Sequence, residues 1–73
     1  MAKEIVEVPI TGRITSVEKK VGDSVSEGDT ICTIESMKMD NPILAPVSGK
    51  ITELNVNLGE IAEAGKTLAV IEY

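Results

Sequence analysis

Between Glu53 and Leu58 polar and apolar side chains alternate without a break, as Glu-Leu-Asn-Val-Asn-Leu. A period of two suits a half-buried β-strand, because successive side chains leave a strand on opposite faces. Elsewhere the apolar positions come in short runs: GRITSV over residues 12–17, TICTIE over 30–35, GKITEL over 49–54 and TLAVIE over 67–72. Val, Ile and Thr are stiff at χ1 and favour the pleated surface of a sheet. The segments VGDSV, SEGDT, LGEIA and EAGKT lie between the runs and read as turns. No stretch holds a 3.6-residue period long enough for a helix, and the three prolines fall at segment edges. Short strands separated by regular glycine turns predict an all-β sandwich or barrel.

The pattern is written twice. Residues 9–35 align without a gap to residues 46–72 at an offset of 37, and nine of the 27 positions are identical. The identities include Gly12/Gly49, Gly22/Gly59 and Gly28/Gly65, so the same turns recur in the same order. Neither copy alone could bury its apolar face. Two copies related by an approximate twofold axis could, as a flattened barrel of two small antiparallel sheets with about eight short strands. The chain is expected to be one domain over residues 1–73, with repeat halves at about 9–35 and 46–72.

Composition narrows the function. Tyr73 is the one aromatic residue, so the core is expected to be Val, Ile, Leu and Ala, with Met as filler. Twelve acidic and seven basic residues give a net charge of −5, which argues against nucleic acid and anionic membrane surfaces. No run approaches transmembrane length and MAKEIVEV does not read as a signal peptide, so a soluble, cytoplasmic domain is expected. Histidine is absent and Cys32 is the single cysteine, which leaves no metal site and no Ser-His or Cys-His dyad to predict. In the strand-like TICTIE, Cys32 reads as a small packed hydrophobe rather than a nucleophile.

One stretch resists this bland description. Residues 36–40, Ser-Met-Lys-Met-Asp, join the two copies where a hairpin turn is required. Such turns normally take Asn-Gly or Asp-Gly. Under the offset Ser36 matches Tyr73 and Ala45 matches Val8, so the hairpin at 36–39 is the counterpart of the two chain ends. It is expected at the opposite end of the domain from them. Lys3, Lys20, Lys50, Lys66 and Arg13 read as ordinary solvated charges, and Lys19, the counterpart of Val56, as a side chain snorkelling at a sheet rim. Lys38 differs in its neighbours. Two exposed methionines beside a turn break a local rule without visible compensation, which points to function. Methionine is flexible and polarizable, and suits a surface that another protein must read. Lys38 is therefore expected to be a lysine on which another protein acts.

ESMKM, followed by PILAPVSGKI and the paired turns VGDSVSEGD and LGEIAEAGK, resembles the biotinyl/lipoyl attachment domains over about Val6 to Glu72. The Met-Lys-Met tip is more similar to biotin carboxyl carrier domains of carboxylases and decarboxylases than to lipoyl domains, which usually carry Asp-Lys-Ala there. The resemblance implies a barrel-sandwich hybrid fold and a type I′ turn with Met37 and Lys38 at its centre. It implies that Lys38 is covalently biotinylated by biotin protein ligase, which reads Met37 and Met39 with Glu35 and Ser36. The activated donor would be biotinyl-adenylate. Ser36 replaces the alanine often found before Met-Lys-Met. The gap-free repeat leaves no room for the protruding thumb of some acetyl-CoA carboxylase carriers. The implied role is non-catalytic: a monomeric swinging-arm carrier between biotin carboxylase and carboxyltransferase. Glu35, Asp40 and Glu53 read first as solubilising charge. A lipoyl or dual-cargo carrier, and an unmodified structural adaptor, stand as alternatives.

Overall fold

The β-branched runs become strands at the expected places. The protein's structure, a computed structural model, describes residues 2–73. Eight strands follow in order: β1 (Lys3–Glu7), β2 (Gly12–Val17), β3 (Ser24–Val25), β4 (Thr30–Ser36), β5 (Met39–Leu44), β6 (Gly49–Leu54), β7 (Ile61–Ala62) and β8 (Thr67–Glu72). They form two four-stranded sheets, ordered β1-β8-β6-β3 and β5-β4-β2-β7. Every pairing is antiparallel.

Exchanging each strand for its counterpart 37 residues away, in either direction, converts one sheet order into the other. The register agrees: Ile5 faces Val70 as Pro42 faces Thr33. Even the irregularities repeat, with bulges between Ile14 and Ser16 and between Ile51 and Glu53. The skipped residue is a threonine in both, and its hydroxyl donates to a strand carbonyl, Thr15 to Thr33 and Thr52 to Val70, each at 3.4 Å. Each turn also grips the other copy. Gly22 N–H donates to the Ile51 carbonyl and Gly59 N–H to that of Ile14.

The inward faces of both sheets meet in an aliphatic core. Its members pair by the same offset: Ile14 with Ile51, Ile34 with Ile71, Ile31 with Leu68, Cys32 with Ala69, Val25 with Ala62. Burial of this surface is the main favourable term in folding. Among the described residues methionine takes no part, contrary to the filler role expected of it, because Met37 and Met39 are both exposed.

Three further expectations are corrected. The alternation from Glu53 to Leu58 is not one strand: β6 ends at Leu54, Val56 is buried from the following loop, and Leu58 is exposed in a turn. Pro42 is not at a segment edge but inside β5. It fits there because β5 is an edge strand, where a missing N–H breaks no ladder. Lys19 lies in the loop after β2 rather than at a sheet rim, with its ammonium 3.8 Å from Asp29.

Where β4 and β5 are joined by the Met37-Lys38 turn, the equivalent strands β8 and β1 end in the chain termini. Ala2 and Tyr73 exchange both backbone hydrogen bonds, at 2.9 Å each. They occupy the positions that Met39 and Ser36 occupy at the hairpin. The tip and the termini are thus symmetry equivalents in different sheets.

Candidate functional site

The β4–β5 ladder runs to its last rung, Ser36 opposite Met39, and leaves two residues for the turn. A two-residue hairpin that follows the right-handed twist of its strands needs positive φ at both central positions. Met37 has φ 53° and Lys38 φ 64°, which is the type I′ geometry. They are the only non-glycine residues with positive φ among those described. For an L residue with a long side chain this conformation costs about 1–2 kcal/mol. Strain of this kind persists where the surroundings over-determine it, and it collects at functional sites.

The turn throws its side chains outward. Met37 is 88% exposed and Met39 66%, and Lys38 is exposed between them. Lys38 takes part in neither of the two ion pairs found among the described residues. Glu35 and Asp40 face one another across the strands one rung behind the last, and both are exposed. Glu35 is also the cross-strand partner of Arg13. Ser36 is half-buried at the base of the turn. Glu53 lies on the other sheet, so the structure does not bring it to the tip.

Behind the tip, the Asn41 side-chain amide donates to the Ile34 carbonyl at 3.3 Å and to the Met39 carbonyl at 3.2 Å. Asn41 is absent from the residues singled out by sequence. The available signal was an asparagine, a residue depleted in strands, placed inside one.

The other reactive side chain sits elsewhere. Cys32 is fully buried on β4, and desolvation pushes its thiol up to about 11. Among the described residues no three His, Cys, Asp or Glu side chains converge as metal ligands. What the tip presents chemically is an exposed primary amine, framed by two exposed thioethers.

Comparison with known proteins bears on what kind of domain carries this tip. The family model described as biotin-requiring enzyme matches residues 3–71. The human mitochondrial propionyl-CoA carboxylase alpha chain is 49% identical over 37 residues, which is 51% of this chain and 5% of that one. The biotinylated protein TB7.3 homolog of Mycolicibacterium smegmatis is 43% identical over 42 residues, covering 58% of this chain and 59% of its own. The crystal structure of Kluyveromyces lactis urea carboxylase superposes with a TM-score of 0.88 at 35% identity. That match covers 99% of this chain and 6% of the urea carboxylase. The chain thus spans a small fraction of both carboxylases.

Proposed function

Because the chain belongs to the family of biotin-requiring enzymes and is a domain of the biotin-carboxyl-carrier type, with biotin as its covalent cofactor, we propose that Lys38 is the residue that receives it. The observation that supports this most directly is the Met37-Lys38 turn, an exposed amine held in a strained conformation between two exposed methionines. An amide-linked group fits this position. It needs no enclosing cavity, since the bond itself holds it, and the tip leaves the arm free to swing.

Loading joins the Lys38 nitrogen to the biotin carboxyl carbon. The bond from that carbon to the activating adenylate breaks, and one proton leaves the amine. Among the described residues no carboxylate pairs with Lys38, so the ligase must hold the free amine. Met37 and Met39, with Glu35 and Ser36 behind them, form the surface the ligase reads. Once attached, biotin supplies the nitrogen that takes up and gives away a carboxyl group. The protein's own task is to hold the arm's root on a rigid two-sheet body and to keep the cofactor at high effective concentration at two enzyme sites. Those sites are a biotin carboxylase and a carboxyltransferase, and the domain itself performs no catalysis.

The test is intact mass after incubation with biotin, ATP and a biotin protein ligase, followed by peptide mapping. One biotinyl increment on Lys38 is expected. Lys38→Arg is expected to abolish it while leaving the thermal transition within a few degrees of wild type, because an exposed side chain without partners contributes within about 0.5 kcal/mol. Labelling of the Lys38→Arg protein would refute the assignment. A parallel reaction with a lipoyl ligase distinguishes the cargo.

A further inference from the structure

We propose that Asn41 is a positioning residue that holds the Met37-Lys38 turn in its left-handed conformation before any partner arrives. The proposal rests on Lys38 being the modified residue. Neither central residue of the turn favours positive φ, so something outside the turn must hold it. Asn41 lies opposite Ile34, two rungs behind the rung that closes the turn, and is half-buried. Its Nδ2 donates across the ladder to Ile34 O on β4 and along its own strand to Met39 O on β5. Both partners are carbonyl oxygens, which accept and cannot donate. The amide orientation is therefore fixed by chemistry, with NH2 inward. One side chain thus ties the strand entering the turn to the first residue leaving it.

The molecule contains its own control. The offset of 37 places Glu4 where Asn41 stands, and Glu4 lies opposite Ile71 as Asn41 lies opposite Ile34. There the paired strands are β1 and β8, the first and last in sequence, and no hairpin turn joins them. A glutamate carboxylate has no N–H to give to either carbonyl. No side-chain hydrogen bond of Glu4 occurs among the described residues, so the donor is found in the half that carries the turn. The counterpart pair Lys3–Glu72 carries opposite charges, whereas Asp40 and Glu35 carry like ones. Cross-strand like charges weaken pairing, so the tip hairpin has more need of a clamp than its symmetry mate.

This predicts a defined kinetic signature. A ligase that binds the left-handed turn meets a lower concentration of competent carrier when the clamp is removed, and apparent affinity falls with the competent fraction. Losing the bonds of one amide corresponds to about a five- to tenfold rise in KM for the carrier. Once the carrier is bound the chemistry is unaltered, so kcat stays within about twofold.

The experiment uses the whole apo chain with Asn41→Ala and Asn41→Asp, the second keeping the side-chain volume but losing the donor. Asn55→Ala is the control, since Asn55 Nδ2 donates to the Thr67 carbonyl at 3.3 Å in the other sheet. Folding of each variant is checked by amide dispersion in a 15N correlation spectrum. NMR couplings and sequential NOEs then report φ at Met37 and Lys38. Both Asn41 variants are expected to lose positive-φ population and to raise KM, while Asn55→Ala changes neither. Folded Asn41 variants with wild-type KM and wild-type φ overturn the proposal, as does a fall in kcat at unchanged KM. If the wild-type chain takes no biotin, the Lys38 assignment fails instead, and the φ measurement alone still decides whether Asn41 holds the turn.

Discussion

Lys38 and Cys32 are the two side chains with nucleophilic atoms that stand apart from their kind, and burial separates their fates. Lys38 projects from a turn, whereas Cys32 has no exposed surface at all. With the thiol pushed up to about 11 by desolvation, roughly one molecule in 10⁴ carries a thiolate at pH 7. Cys32 is therefore expected to resist a disulfide reagent in the native state and to react at once in denaturant. The same shift has a sign in stability. The folded chain keeps its proton where the unfolded chain, with a thiol near 9, has lost it, so stability falls as pH rises from about 9 through about 11. The full loss is of order 2–3 kcal/mol. Comparing urea unfolding of wild type and Cys32→Ala across that range isolates the contribution, and equal slopes would remove it. At this scale the sequence was informative wherever a residue broke a local rule. Met37 and Lys38 announced themselves by being wrong for a turn. Asn41 broke a local rule more quietly, as an asparagine inside a strand, but its two acceptors are backbone carbonyls, and only the folded register brings them within reach.

Among the elements, the strands beginning at Gly12 and Gly49 match the sequence expectation from first residue to last. The stretch after Leu54 does not, for a physical reason. Alternation reports which side chains face the core, and Val56 faces it from a loop without ladder bonds. Leu58 and its counterpart Val21 are exposed in equivalent turns, so hydrophobicity there records neither strand nor core. The two glycines that open β2 and β6 have a separate role that the sequence hinted at only through their repetition. A Cβ on Gly12 would run into the Glu35 carbonyl and come within 2.6 Å of Ile34 Cγ2. A Cβ on Gly49 would meet the Glu72 carbonyl and lie 2.8 Å from Ile71 Cγ2. Both alanine variants are expected to lose about 2–3 kcal/mol by overpacking, seen as a lower melting temperature. Their functional effects should differ. Gly12→Ala pushes on Glu35, next to Ser36 and the turn, and should slow biotin labelling. Gly49→Ala pushes on Glu72, beside the chain end, and should leave the labelling rate near wild type. Equal rates at temperatures where both are folded would show that the tip is insulated from β2.

The whole molecule is two interleaved copies rather than two adjacent ones. The first copy and its leading segment give β1 and β3 to one sheet and β2 and β4 to the other, and the second copy fills the gaps. Most pairings are therefore remote in sequence, β1 with β8 above all, which places folding among the slower small domains. The interleaving also makes the two symmetry-related strand ends interchangeable as backbone. At one, two residues join Ser36 to Met39; at the other, nothing joins Tyr73 to Ala2, although that pair already exchanges both hydrogen bonds. Two residues of a favoured type I′ turn, Asn-Gly, should bridge Tyr73 to Ala2 with no change of register. New ends can open between Pro46 and Val47, in the loop between β5 and β6. This circular permutant, lacking Met1, is expected to fold, to melt within about 10 °C of the parent, and to give the same result as the parent when Lys38 is tested for biotin labelling. Dispersed amide resonances together with protection of the Ala2 and Tyr73 amides would show that the fold is indifferent to which pair of strands carries the turn. What makes one end a site is then the residues placed there, Met37, Lys38 and Met39 over Asn41. A permutant that collapses or aggregates would mean that the open pair of ends is itself part of what the fold requires.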